Sequence, residues 1–182
     1  MMSKTFPALS CDHIQFIADQ PVFFAATTAP DARINLSPKG MDSLRVLSPT
    51  RILWLNLTGS GNETAAHLAL DPRMTLMWCS FTARPLILRA YGCARTLHPS
   101  DADWPDLAAH LPDQPGARQI YDLTVDLVQT SCGYAVPLLD FREERPTLRS
   151  WAIDTGEAGL RAYWSTRNRL SLDGLPTGID AP

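Results

Sequence analysis

Pro85-Leu86-Ile87-Leu88-Arg89-Ala90-Tyr91-Gly92-Cys93-Ala94-Arg95-Thr96-Leu97 is the longest stretch of strand character in the chain, and its reading decides the fold. Side chains alternate along a strand, so Arg89, Tyr91, Cys93 and Arg95 share one face while smaller residues occupy the other. Gly92 in the middle predicts a bulge or a close backbone approach. An arginine on the polar face could neutralise a phosphate or pair with a carboxylate such as Asp122 or Asp126, and the second is the commoner fate.

Other strands flank this one on both sides. Residues 22–28 form a β-rich run, and 33–37 follow as its hairpin partner across the turn residues Pro30 and Asp31. Further strands are read at 51–57, 74–81 and 123–130. Ser10 is an N-cap for a short helix ending before Pro21, and helices are expected at 62–70, 100–111 and 157–169. The helices are too few and too irregular for repeated βαβ units, so an antiparallel barrel with helices outside it is favoured. No linker divides the chain. One domain over 1–182 is expected, with 112–116 a surface loop and 170–182 a C-terminal docking tail.

Composition narrows the function. With 45% hydrophobic and 19% charged residues in 182, the chain suits one folded domain. Sixteen Lys and Arg against nineteen Asp and Glu give a charge of -3, so no global basic field recommends nucleic acid or an anionic membrane. Any bound anion must be held locally. Only two of the bases, Lys4 and Lys39, are lysines, and Lys4 lies in a terminus expected to be loose. No apolar run approaches the roughly 20 residues of a spanning helix, and no signal peptide is evident, so a cytoplasmic location is expected. Cys11, Cys79, Cys93 and Cys132 form no CxxC pair and are expected to be buried small hydrophobes. His13, His67, His98 and His110 show no ligand spacing, and no metal is expected.

Three segments bear on chemistry. In Asn35-Leu36-Ser37-Pro38-Lys39-Gly40, Asn35 and Ser37 share a face, Pro38 is expected to end the ladder, and Lys39 is left at a strand mouth. This is either a concave polar site or an ordinary strand exit with a solvated lysine. Thr58-Gly59-Ser60-Gly61-Asn62-Glu63-Thr64 feeds a helix whose free N–H groups could hold a phosphate, but it matches neither GxxxxGK[ST] nor GxGxxG. A plain helix capped by Asn62 fits equally, and Glu63 would repel a phosphate if it turned inward. In Thr130-Ser131-Cys132-Gly133-Tyr134, Cys132 invites a nucleophile reading, but no histidine stands near it in sequence.

Taken in order, residues 23–28, 35–40, 61–68, 71–76 and 89–95 resemble the flavin-binding split barrels related to pyridoxamine 5'-phosphate oxidase, in particular their uncharacterised oxidase-like branch. The resemblance implies a mainly β fold with peripheral helices, a six-stranded antiparallel split β-barrel of FMN-binding type. It implies a homodimer with FMN at the subunit interface. It assigns Asn35, Ser37, Pro38 and Lys39 to the flavin, Thr58 to its ring system, and Ser60, Gly61, Asn62 and Thr64 to its phosphate. The oxidases place basic residues where Glu63 and Thr64 stand, so the phosphate would depend on backbone N–H groups, Thr64, and Lys39 or Arg89. Tyr134 and Trp151 are candidates for the ring face or the substrate, and no catalytic acid or base is assigned. The tail shows no counterpart of the residues that hold pyridoxine phosphate, so vitamin B6 oxidation is not carried over. The implied activity is hydride transfer between flavin and an unidentified small substrate; the alternative is a non-catalytic flavin- or heme-binding carrier or sensor.

Overall fold

A computed structural model describes residues 3–179. Eight strands and four helices are found among them: β1 (Lys4–Phe6), α1 (Cys11–Ala18), β2 (Phe23–Thr27), β3 (Asn35–Lys39), β4 (Leu44–Ser48), β5 (Arg51–Leu57), α2 (Glu63–Leu68), β6 (Arg73–Cys79), β7 (Leu86–Leu97), α3 (Trp104–Ala108), β8 (Ala117–Cys132) and α4 (Thr147–Arg167). The sheet runs β3-β2-β6-β7-β8-β5-β4, every neighbour antiparallel, with β1 added to β8. The expected class, mainly β with peripheral helices in a split antiparallel barrel, is the one observed. The two strands beyond the expected six are β1 and β4, both five residues or shorter.

The strand that decided the reading lies at the centre. β7 pairs with β6 on one side and β8 on the other, burying Leu88, Ala90, Gly92 and Ala94 while Arg89, Tyr91, Cys93 and Arg95 point outward. The register shifts between Tyr91 and Gly92, and a Cβ built on Gly92 would lie 1.9 Å from the Thr124 carbonyl oxygen. Tyr91 pairs with Leu127 and Gly92 with Val125, so the extra residue of the bulge is Asp126 on β8, and Gly92 is the point of close approach opposite it.

The inward face closes over Phe23, Trp54, Leu76, Trp78, Leu88, Leu123 and Val128, with Phe16 and Ile17 of α1 packed against them. Trp54 stands edge-on to Phe23, ring centroids 5.8 Å apart, and tilted on Tyr121 at 4.7 Å. The opposite face of β5 gives Leu53 and Leu55, which meet Leu97, Leu107 and Ile120 beneath α3. β5 is buried on both sides, which explains its near-continuous apolar run.

Local chemistry sets the element ends, and several expectations need correction. Ser10 caps α1 as expected, its hydroxyl accepting from His13 N–H while His13 Nδ1 accepts from Ser10 N–H. Pro38 does not end the ladder: it sits inside β3 opposite Phe24, tolerated because β3 is an edge strand with an unpaired side. Lys4 is not in a loose terminus, since its backbone pairs with Thr130 while its side chain stays exposed. α4 is two helical segments broken at Gly156, whose φ of 66° interrupts the helical path: the second, from 157 to 167, is the helix expected at 157–169, and the first, from Thr147, lies outside the sequence expectation. Of the cysteines only Cys79 is buried; Cys11, Cys93 and Cys132 are exposed, because they fall at a helix start, on the outward face of β7 and at the end of β8. The last residues of the expected tail, 180–182, lie outside the described residues.

Candidate functional site

The two ends of the sheet, β3 and β4, are not paired with each other; residues 40–43 join them in a turn, with Met41 and Asp42 both left-handed (φ 60° and 54°). Into the split opens a cavity of about 750 Å³, walled by β3, β5, the loop after β5 and the end of α4. Asn35, Ser37, Pro38, Lys39, Thr58, Ser60, Gly61, Asn62 and Thr64 all line it. Nine of the ten residues the resemblance assigned to a cofactor thus surround one space. They come together because Asn35, Ser37 and Lys39 pair opposite the buried Thr27, Ala25 and Phe23, which turns their side chains inward.

Four of these side chains, those of Asn35, Thr58, Asn62 and Thr64, have definite hydrogen-bond partners. Asn35 Nδ2 donates to Thr64 Oγ1 at 3.1 Å, tying the edge strand to α2. Thr58 Oγ1 donates to Gly116 O at 2.7 Å and accepts from Trp164 Nε1 at 2.8 Å, so its hydroxyl is an anchor for α4. Asn62 stands at the N-cap position of α2, yet its side chain makes no cap hydrogen bond. It donates instead to Gln119 Oε1 at 2.9 Å, within a buried set that includes Asn56 and Tyr121. The plain cap reading is thereby overturned: the buried amide partners outcompete the helix end.

The charge in the cavity is local, as an acidic chain requires. Lys39, Arg118 and Arg167 line it against one acid, Glu63. The Lys39 ammonium lies 5.4 Å from the centre of the Trp54 ring, over its face. Burial pulls its pKa below the ordinary lysine range, and the Arg118 charge adds to that. Arg118 is only 4% exposed, and burial pushes it down to about 10. Glu63 does not turn on the cavity centre; its carboxylate accepts the Leu172 N–H at 3.0 and 3.1 Å and so fastens the tail.

The tail docks on its own chain. Arg33 pairs with Asp173, and the Thr177 hydroxyl donates to Asn168 O at 2.5 Å. Asn168 itself, at the end of α4, donates from Nδ2 to Gly59 O at 3.1 Å. Leu170, Ser171 and Leu172 complete the cavity wall.

Three expected residues lie elsewhere. Arg89 points away from the cavity on the outward face of β7, where Nη1 donates to Ser131 Oγ at 3.2 Å. Tyr134 is 64% exposed beyond the end of β8. Trp151 lines a second, more apolar cavity that shares Pro38, Lys39, Gly40, Met41 and Leu148 with the first. Asp122, not Asp126, is the carboxylate that pairs with a β7 arginine: Arg95 Nε reaches it at 3.1 Å, and Arg51 makes two bonds to it at 2.9 Å. Arg118 and Asn168 were missed. The first lies near the start of β8, a strand read as starting at 123, and the second near the end of the helix read at 157–169; neither position has a spacing signal.

The donor set suits an anion bearing a flat, partly apolar body. The half-buried Lys39 and the buried Arg118 make no ion pair among the described residues, and Arg118 Nε has no partner at all. Trp54, Leu55 and Leu57 supply the apolar part of the wall.

Comparison with known proteins gives the family and the fold. A family model described as pyridoxamine 5'-phosphate oxidase matches residues 12–132. The pyridoxamine 5'-phosphate oxidase family protein ustO of Aspergillus flavus is 37% identical over 177 residues, covering 86% of this chain and 70% of that protein. Among solved structures, a protein from Lactobacillus delbrueckii named for pyridoxamine 5'-phosphate oxidase superposes with a TM-score of 0.56 at 20% identity, over 70% of this chain and 98% of the other. HupZ of Group A Streptococcus does so with a TM-score of 0.52 at 15% identity, over 65% and 91%. These two share the fold.

Proposed function

The chain belongs to the pyridoxamine 5'-phosphate oxidase family, and from that premise we propose that it binds FMN in the β3–β5 cavity and acts as an oxidoreductase on a small molecule. The observation that supports this most is the gathering of nine assigned residues around one cavity with two unpaired cations, Arg118 buried and Lys39 half-buried. When bound, FMN supplies two-electron chemistry by accepting or giving a hydride at its ring.

The residues of the chain supply placement. Backbone N–H groups of the 60–64 loop, with Thr64 and Lys39, hold the phosphate end; the β3 edge and Trp54 bound the ring end. Lys39 stays protonated when an anion faces it, because the opposite charge offsets the burial that depresses it. Thr58 and Asn168 fix α4 and its tail against the loop, which shields that wall from water. Trp151 and the apolar second cavity beside Pro38 and Lys39 offer a place for substrate.

The protein works as a homodimer with the cofactor near the subunit boundary. Large apolar side chains left uncovered on or beside the β3 edge and on β8 support this, with Ile34 77%, Leu36 64% and Leu127 40% exposed. Among the described residues, no helix is long and apolar enough to cross a membrane.

A flavin titration followed by anaerobic reduction tests the proposal. Bound FMN that is bleached by NADH or NADPH and restored by oxygen is the expected result. Flavin that binds and is never reduced by any nicotinamide donor points to a carrier or sensor.

A further inference from the structure

We propose that Arg118, positioned by Asn168, recognises the phosphate group of the flavin, so that the C-terminal segment of the chain completes the cofactor site. This rests on the flavin reading above and assigns a residue that the family resemblance did not.

A buried guanidinium ordinarily faces a carboxylate. β8 supplies one where it matters less: four residues along from Arg118, Asp122 pairs with Arg51 and Arg95, whose side chains are 39% and 53% exposed. Arg118 receives only neutral acceptors, Asn168 Oδ1 at 2.6 Å, Gly61 O at 2.8 Å and Asn56 Oδ1 at 3.3 Å. Its Nε finds none. Glu63, the one acid on the cavity wall, is engaged by the Leu172 N–H. The site is therefore a cation without its counterion, and its placement says which end of a flavin supplies it. Nη2 bonds the Gly61 carbonyl, and a Cβ on Gly59 would sit 3.9 Å from Nη2, so the guanidinium lies against the 59–61 loop. Lys39 senses the same uncompensated charge. A dianion in the cavity relieves both groups together, whereas a neutral ligand relieves neither.

Asn168 holds Arg118 there. Its side-chain oxygen accepts from Nη1, its amide donates to Gly59 O, and its backbone oxygen accepts from Thr177. Loop and guanidinium meet at its buried side chain, and the tail at its backbone.

The test compares FMN with riboflavin, which differ by the phosphate, in the full-length protein by quenching of flavin fluorescence. Arg118→Met is expected to weaken FMN by about 10–100-fold, the range for one lost charge-assisted contact, and riboflavin by less than about 3-fold. Arg118→Lys should recover part of the loss, and Asn168→Ala should weaken FMN by about 3–10-fold, with riboflavin again little changed. Inorganic phosphate alone should raise the melting temperature of the flavin-free parent and not that of Arg118→Met, which separates the phosphate from the ring as the group recognised. If Arg118→Met does not fold, Arg118→Lys and Asn168→Ala decide by the same ratio. A parallel loss of FMN and riboflavin, or an unchanged FMN affinity, overturns the role of Arg118 and leaves flavin binding standing. A parent that binds neither flavin overturns the functional reading and this inference with it.

Discussion

Replacing Gly92 by alanine should open the centre of the sheet. The added Cβ would lie 1.9 Å from Thr124 O, 2.9 Å from Thr124 C and 3.0 Å from Val125 Cα, all backbone atoms that no rotamer change can move. Relief requires β7 and β8 to part by more than about 1 Å, against a normal strand spacing of about 4.8 Å. That sacrifices about two ladder hydrogen bonds at about 1 kcal/mol each and adds an overpacking cost of about 1–3 kcal/mol. The loss is about 3–5 kcal/mol, and a chain of this size loses about 2–4 °C per kcal/mol, so the melting temperature should fall by about 6–20 °C. Circular dichroism melts and urea unfolding both read it. Gly156→Ala is the control: φ 66° with ψ 170° is a backbone region open essentially to glycine alone, but the space around it is empty, so a conformational penalty of about 1–3 kcal/mol applies without any clash. If Gly92→Ala melts within about 2 °C of the parent, the close approach argued from the bulge is wrong.

Other outcomes follow from the same structure. Lys39→Ala and Thr64→Ala should each weaken FMN, by about 1.5–3 kcal/mol for the charge-assisted lysine contact and about 1 kcal/mol for the neutral hydroxyl, as read by fluorescence titration. Because burial and Arg118 lower the Lys39 pKa, FMN affinity should start to fall with rising pH below the ordinary lysine range, and Lys39→Gln should remove that limb. Burial pulls the Asp122 carboxyl up, but Arg51 and Arg95 more than offset it, so its folded pKa is lowered. Its contribution is complete above the unfolded value of about 3.9 and is lost as pH falls through the folded one; Asp122→Asn should cost about 1–2 kcal/mol at pH 7, the lower end of the range because both arginines are partly hydrated, and should flatten the acid limb. Glu63→Ala frees the Leu172 N–H, so trypsin should cut at the exposed Arg167 and Arg169 several times faster than in the parent.

Much of the fold could be read before the structure because the long strands alternate cleanly. The 51–57 run matches β5 at both ends, and 85–97 matches β7 within one residue. The first six residues of β8 escaped notice because Arg118, Gln119 and Asp122 are polar yet buried, which hides the strand from a hydrophobic pattern. β4 is uniformly half-buried and so has no alternation to detect. The site was legible on its β3 and loop sides, where Pro38, Gly59 and Gly61 punctuate the sequence. Arg118 and Asn168 were not, since their meaning comes from contacts 50 residues apart in the chain. Arg89 drew attention as an arginine in a strand, but strand parity puts it on the outward face.

Cofactor uptake tests the flavin-binding proposal most directly. Purified protein, stripped and then titrated with FMN, should bind one flavin per chain, quench its fluorescence and show the two-banded yellow spectrum of a bound flavin. Protein that stays colourless and leaves FMN fluorescence unchanged throughout the titration would contradict it.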